Sequence, residues 1–355
     1  MEIKRRTTRR IMIGNVAIGG GAPVSIQSML VTRTADIVAS MAQINALHQA
    51  GCELIRIAIA DEQDAQAVEA LKRQSPLPLI ADIHFDHKLA LTAIAGGIDA
   101  LRINPGNIGS EANVREIVAA VRERMIPIRI GVNSGSIHPD LLRRYGLSAG
   151  AMVESALQHV HILERLSYHE IKISVKASHL GLTLDSYRLL SQRCDYPLHL
   201  GLTEAGTEFK GMIKSSIALG ILLSEGIGDT IRVSLTAEPE REIAVAQALL
   251  QTLGLRRGLD IISCPTCGRT RINLITLTQQ VEDALKHLAD MPLTVAVMGC
   301  AVNGPGEARE ADYGIAGGEG EGLLFAKGRI VGKYPEQVLV RELVKLIEEH
   351  SGDRS

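Results

Sequence analysis

Ile171-Lys-Ile-Ser-Val-Lys176 alternates apolar and polar residues without a break, and two of the polar ones are lysines. A strand sends successive side chains to opposite faces, so Ile171, Ile173 and Val175 share one face and Lys172, Ser174 and Lys176 the other. The same division recurs in Leu101-Arg-Ile-Asn104, in Ile128-Arg-Ile130 with Asn133 beyond it, and in Ile231-Arg-Val-Ser234. Outward from these runs, the chain from residue 25 repeats one unit: a short β-rich run, a polar or glycine-containing turn, and a stretch with apolar residues at helical spacing. The runs predict strands over 25–29, 53–59, 78–83, 100–105, 127–133, 170–177, 197–203 and 230–235, with helices such as 35–50 and 211–224 between them. Eight units in about 230 residues predict an α/β fold, a (β/α)8 TIM-type barrel. A doubly wound open sheet has the same rhythm, because sequence does not show closure.

The rhythm stops at 254–258, where Arg256 and Arg257 sit between glycines. Beyond it come a strand leading into a cysteine pair, a helix near 273–289, a strand over 294–298, glycine-rich turns at 317–322 and a final helix near 335–350. That pattern predicts a small α+β domain, and so two domains, 1–255 and 256–355, in keeping with the length of 355 residues.

In the barrel reading the apolar faces meet the helices and the polar faces turn inward. The inward set is then Arg102 and Asn104, Arg129 and Asn133, Lys172, Ser174 and Lys176, and Arg232 and Ser234, with Arg56 from the second strand and Asp82 and His84 from the third. A barrel interior is ordinarily filled by branched apolar residues, and an isolated buried charge costs several kcal/mol. Six cations against one acid call for an anion, and arginine forks and lysines near strand C-termini suit a phosphate or diphosphate. The competing reading makes these residues the surface of an open sheet. A lone histidine is more often structural than catalytic, so His84 is left out of the chemistry.

Composition narrows the classes. Apolar residues make up 46% and charged residues 22%, with a net charge of -2, which gives no general attraction to nucleic acid or anionic lipid. Aromatics are 3% and tryptophan is absent, so base-stacking platforms are nearly lacking. No stretch approaches the roughly 18 apolar residues of a membrane span, and the expectation is a cytoplasmic protein. Five cysteines, three of them after residue 263, do not read as a secreted disulfide framework, and a metal or redox use is favoured.

Cys264-Pro-Thr-Cys267 is a C-x2-C pair, and Cys300 follows in Met298-Gly-Cys300 ahead of Asn303-Gly-Pro-Gly-Glu307. Three thiolates fall short of the four usual for zinc or a cubane cluster, which leaves His287 or Glu307 as the fourth ligand. Cys52 and Cys194 read as ordinary small residues.

The chain resembles the 4-hydroxy-3-methylbut-2-enyl diphosphate synthases. The matching stretches are Val24-Ser-Ile-Gln-Ser-Met29, Ala81-Asp-Ile-His-Phe85, Leu101-Arg-Ile-Asn-Pro-Gly-Asn-Ile108, Ile128-Arg-Ile-Gly-Val-Asn133, Val175-Lys-Ala-Ser178, His199-Leu-Gly-Leu-Thr-Glu-Ala-Gly206, Leu222 through Ser234, the cysteine pair and Asn303 through Glu307. The resemblance implies a 4Fe-4S cluster on Cys264, Cys267, Cys300 and Glu307 in the C-terminal domain. It implies substrate contacts at Arg56, Asp82, Arg102, Asn104, Arg129, Asn133, Lys176, Arg232 and Ser234, with Glu204 as the catalytic acid. It further implies reductive opening of a cyclic diphosphate, flavodoxin or ferredoxin as electron donor, and a homodimer whose active site is shared between chains. The chain departs from the family pattern at Leu30-Val31 and at His179. A non-redox phosphosugar enzyme with a zinc-bound accessory domain is the alternative, with Lys172 or Lys176 as its Schiff-base candidate.

The linker bears on the shared site. The eighth barrel helix returns the chain to the face opposite the strand C-termini, and five residues reach about 18 Å at most. A cluster domain that closes the partner chain's barrel is therefore expected, the alternative being that the small domain's own size carries it up the side of its own barrel.

Overall fold

A computed structural model describes residues 3–84, 86–103, 108, 110–300 and 310–351. The chain divides into two units, Met1–Leu255 and Arg256–Ser355.

The first unit begins with an antiparallel hairpin of β1 (Arg10–Ile13) and β2 (Val16–Gly19). Eight parallel strands follow: β3 (Ser25–Met29), β4 (Leu54–Ala58), β5 (Leu79–Ile83), β6 (Ala100–Ile103), β7 (Ile128–Asn133), β8 (Ile171–Lys176), β9 (His199–Leu200) and β10 (Thr230–Ile231). Their order in the sheet is β8-β7-β6-β5-β4-β3-β10-β9. A parallel bridge between Ile173 and Leu198, with the Ile173 N–H donating to Pro197 O at 3.0 Å, joins β8 to the segment entering β9. The sheet thus closes into a barrel, and the open-sheet reading falls.

Helices return between the strands: α1 (Ile37–Gln49), α2 (Glu62–Gln74), α3 (His87–Ala95), α4 (Glu111–Arg122), a short α5 (Pro139–Tyr145), α6 (Ala149–Arg165), α7 (Leu180–Arg193), α8 (Glu208–Ser224) and α9 (Pro239–Thr252). Their starts are written in the sequence. Asp36, Asp61, Asp86 and Ser148 each accept a backbone N–H of the first turn, which satisfies donors that a helix leaves open. His179 does the same for α7, its Nδ1 accepting from Leu182 N–H at 3.3 Å. The departure at this position therefore keeps a capping acceptor. At the other departure, Leu30 is buried, while Val31 is exposed and donates its N–H to Gln43 Oε1 at 2.9 Å.

The apolar strand faces do meet the helices. Ile55, Ile57, Leu101, Ile103, Ile128, Ile130, Ile171, Ile173, Val175, Ile231 and Val233 all belong to one buried cluster with the inner helix faces. Each such side chain contributes roughly 1.5–3 kcal/mol of burial free energy. Inside the barrel at the N-terminal end, Ile11, Ile13 and Ile18 of the hairpin pack on Leu54, Ile80 and Ala100. The hairpin stoppers that end.

The second unit is a five-stranded sheet in the order β11 (Leu259–Ser263), β12 (Leu293–Met298), β13 (Tyr313–Gly317), β14 (Glu321–Ala326), β15 (Arg329–Pro335). The first three strands are parallel and the last two pairings antiparallel. Helices α10 (Leu274–Leu285) and α11 (Leu339–Ser351) cover it through Leu277, Val281, Leu285, Leu339, Leu343 and Ile347.

Candidate functional site

The register of the parallel strands sets Asp82 beside Arg102, Arg102 beside Arg129 and Arg129 beside Lys172. Residues paired in this way face the same side of a sheet, and here that side is the barrel interior. Asp82, Arg102, Arg129 and Lys172 are each at most 3% exposed.

Asp82 organises one side of this layer. Its two oxygens take Arg56 Nη2 at 2.5 Å and Arg102 Nη1 at 2.9 Å, and His84 Nε2 lies 3.2 Å from the first of them. Burial alone would raise the Asp82 carboxyl, but the His84 hydrogen bond and the two guanidinium charges outweigh it and hold it well below the usual carboxylate range. On the other side Arg232 meets Glu242, with Nε to Oε2 at 3.5 Å, and Glu242 also accepts the Leu235 N–H at 2.9 Å. Glu242 belongs to the first turn of α9, so it is a second acid that strand alternation could not reveal. Burial raises its pKa against the pull of Arg232.

Arg129 is the most deprived cation. Its Nε and Nη1 are buried without a hydrogen-bond partner, and burial, then the charges of Arg56 and Arg102, press its pKa down. Lys176 is pressed down in the same way, by burial and then by Arg129, Arg232, Arg56 and Arg102. Buried donors of this kind demand an acceptor.

Two glycines make room for these side chains. A Cβ at Gly131 would stand 2.9 Å from Arg102 Nε, and one at Gly201 would stand 2.7 Å from Lys176 Nζ. Both occupy inward positions by the period of two, Gly131 between Arg129 and Asn133 and Gly201 two beyond His199, so they were open to the same alternation reading.

The result is a cavity of about 150 Å³ walled by Arg56, Arg102, Arg129, Lys176 and Arg232, with Asn133, Ser174, Ser234, Leu202, Thr203 and Glu204 completing it. Every substrate contact expected from sequence borders this cavity except Asp82, which reaches it through Arg56 and Arg102, and Asn104, which lies outside the described residues. Glu204 is exposed, with a φ of 55°. A non-glycine residue in the left-handed region is strained, a condition that clusters at working sites. His84, set aside on sequence grounds, belongs to the Asp82 constellation. Lys172 is fully buried and does not border the cavity.

In the second unit the parallel pairing of β11 and β12 sets Ser263 beside Val297, so Cys264 and Cys267 leave one strand end as Cys300 leaves the next. Gly299 N–H donates to Cys264 Sγ at 3.2 Å, and a backbone hydrogen bond from Arg269 lowers the Cys267 thiol. None of the three is in a disulfide. Glu307 lies outside the described residues, and among the described residues no three His, Cys, Asp or Glu side chains converge as a metal site. His287, the other candidate fourth ligand, pairs with Glu348 at 3.3 Å instead. Cys52 is buried, its thiol pushed up to about 12 by that burial, and Cys194 donates to Leu190 O at 3.6 Å.

The family model described as the GcpE TIM-barrel domain matches residues 8–247, and that described as the GcpE protein C-terminal domain matches 260–349. A Geobacter sulfurreducens protein named 4-hydroxy-3-methylbut-2-en-1-yl diphosphate synthase (flavodoxin) is 59% identical over 348 residues, covering 96% of this chain and 98% of its own. One of the same name from Maridesulfovibrio salexigens is 54% identical over 349 residues, covering 98% and 97%. Among solved structures, dihydropteroate synthase from Xanthomonas albilineans aligns at a TM-score of 0.50 and 15% identity, over 69% of this chain and 98% of that one. That likeness speaks to the barrel alone.

Proposed function

We propose a function from the premise those matches establish: this chain belongs to the GcpE family. Its activity is that of an oxidoreductase of isoprenoid precursor synthesis, a 4-hydroxy-3-methylbut-2-en-1-yl diphosphate synthase. The reaction opens and dehydroxylates 2-C-methyl-D-erythritol 2,4-cyclodiphosphate to (E)-4-hydroxy-3-methylbut-2-enyl diphosphate and water, and consumes two electrons.

The observation that carries this reading is the pocket in which Arg56, Arg102, Arg129, Lys176 and Arg232 converge with too few acids to neutralise them. A diphosphate supplies the missing charge and the missing acceptors. Arg129 donates from its unpaired Nε and Nη1, Asn133 and Ser234 take the remaining oxygens, and Asp82 keeps Arg56 and Arg102 fixed. Preorganised cations of this kind stabilise charge as it moves to the opening ring oxygen. At the rim, the Glu204 carboxyl holds the proton that leaves with the substrate's hydroxyl as water.

The thiol set fits an iron–sulfur cluster: three thiols at neighbouring strand ends, one accepting an N–H and one drawn toward thiolate. Cys264, Cys267, Cys300 and Glu307 would hold a 4Fe-4S cluster, which supplies electrons one at a time. The relatives' printed names support flavodoxin as donor, with ferredoxin as the chemical equivalent.

The test is anaerobic turnover of the cyclic diphosphate with a chemical reductant. Brown protein that forms the linear diphosphate is expected. Colourless zinc-containing protein without turnover would overturn the reading. That the chain acts in the cytoplasm as a homodimer with shared sites completes the proposal. Mixing inactive Glu204→Gln and Cys267→Ser chains restores about a quarter of wild-type activity if sites are shared, since half the dimers are then mixed. Demonstrated exchange with no recovery sinks that part alone.

A further inference from the structure

Among the described residues Lys176 is the one ammonium in the cavity wall, and four guanidiniums press on it. Its Nζ lies 3.3 Å from Nε2 of His199, which is wholly buried. The other ring nitrogen, Nδ1, stands 2.6 Å from Thr230 Oγ1, and Tyr187 Oη donates to the His199 carbonyl at 2.6 Å. The imidazole is thus gripped at both ring nitrogens and at its backbone. A charged lysine has three donors and no acceptor. When Lys176 carries its proton against a bound anion, Nε2 must therefore accept, and Nδ1–H donates to Thr230. Gly201 leaves the space across which Lys176 lies, since a Cβ there would meet Nζ at 2.7 Å.

We propose that His199 is a positioning residue for Lys176: as a neutral acceptor locked by Thr230, it aims one ammonium N–H downward and leaves the other two for the diphosphate. Burial, and then the charge on Lys176, also push the His199 imidazole well toward the neutral form. The inference rests on the proposed anion pocket and deepens it.

The test titrates anaerobically purified holoenzyme with the cyclic diphosphate and, separately, with inorganic pyrophosphate, by calorimetry. His199→Leu removes the acceptor and is expected to weaken binding about tenfold to a hundredfold, the worth of a charge-assisted hydrogen bond. His199→Gln keeps an acceptor at the end of the side chain and should stay within about threefold of wild type. In turnover, the loss with leucine is expected in KM rather than kcat. Thr230→Val, which keeps the side-chain shape and removes the oxygen facing His199 Nδ1, should weaken both anions in the same direction as the leucine variant. It stands in if His199→Leu fails to fold, as judged by thermal unfolding. Equal weakening by leucine and glutamine, or wild-type binding in folded His199→Leu, or in Thr230→Val where the leucine variant does not fold, overturns the inference. If wild type takes pyrophosphate but not the cyclic diphosphate, the substrate reading fails, while the pyrophosphate series still decides the role of His199. If wild type takes neither, both fail.

Discussion

Asp82 spends two oxygens on three partners, Arg56, Arg102 and His84, in a site only 2% exposed. Removing the charge while keeping the shape, as in Asp82→Asn, strands two buried guanidiniums, and a loss of about 3–5 kcal/mol in unfolding free energy is expected from urea titration. Its sign with pH is fixed by the direction of the shift. The folded-state pKa is depressed, so the stabilisation is complete above the unfolded carboxyl's pKa of about 4 and is lost as pH falls toward the folded value. The asparagine variant should therefore show a flatter acid limb than wild type, and parallel limbs would argue against the assignment. Among the thiols, Cys264→Ser, Cys267→Ser or Cys300→Ser should abolish the broad absorbance at about 400 nm, because thiolates are the strong ligands. Glu307→Ala should leave a labile or three-iron form, since a carboxylate is the exchangeable ligand. A stable full cluster with full activity in that variant would require a different fourth ligand. At this scale alternation was enough to find the five cations of the wall. Glu242, which comes from a helix, and the tie between His199 and Lys176, which depends on how β8 and β9 come level with each other, were beyond it.

The eight strands were readable because each carries an apolar face that must meet a helix, and that requirement writes a period of two. Where strands are short the pattern thins: the runs expected over 197–203 and 230–235 contain ladders only at His199–Leu200 and Thr230–Ile231. The hairpin of β1 and β2 was not anticipated, because its strands are four residues each and its packing partners lie some 40 to 90 residues away. Nor were β13, β14 and β15 distinguished, although the glycine-rich turn expected at 317–322 does join the first two. The hairpin's isoleucines are fully or almost fully buried. Ile13→Ala should cost about 2–5 kcal/mol by the methylene groups lost and the cavity left, without changing pyrophosphate affinity per folded molecule. A change under about 1 kcal/mol would mean that the hairpin does not anchor the barrel.

The whole molecule carries a net charge of -2, yet among the described residues six cations line the barrel interior against Asp82 inside it and Glu242 of α9. The remainder is therefore more acidic than the total suggests, and the positive field is sealed inside rather than displayed. No binding to duplex DNA is expected at physiological salt, as measured by fluorescence anisotropy, and tight binding would contradict this distribution. No helix among the described residues is long and apolar enough to cross a membrane. The stopper at the N-terminal end of the barrel has one more consequence. With the hairpin packed across that end and Ser25, Lys172, His199 and Thr230 buried as well, the barrel is a blind tube, and whatever enters it must back out the way it came. If the diphosphate binds as proposed, arriving cyclic diphosphate and departing linear diphosphate would share one doorway and one set of arginines, so each turnover would have to empty the tube before the next begins, and the product would compete with its own precursor.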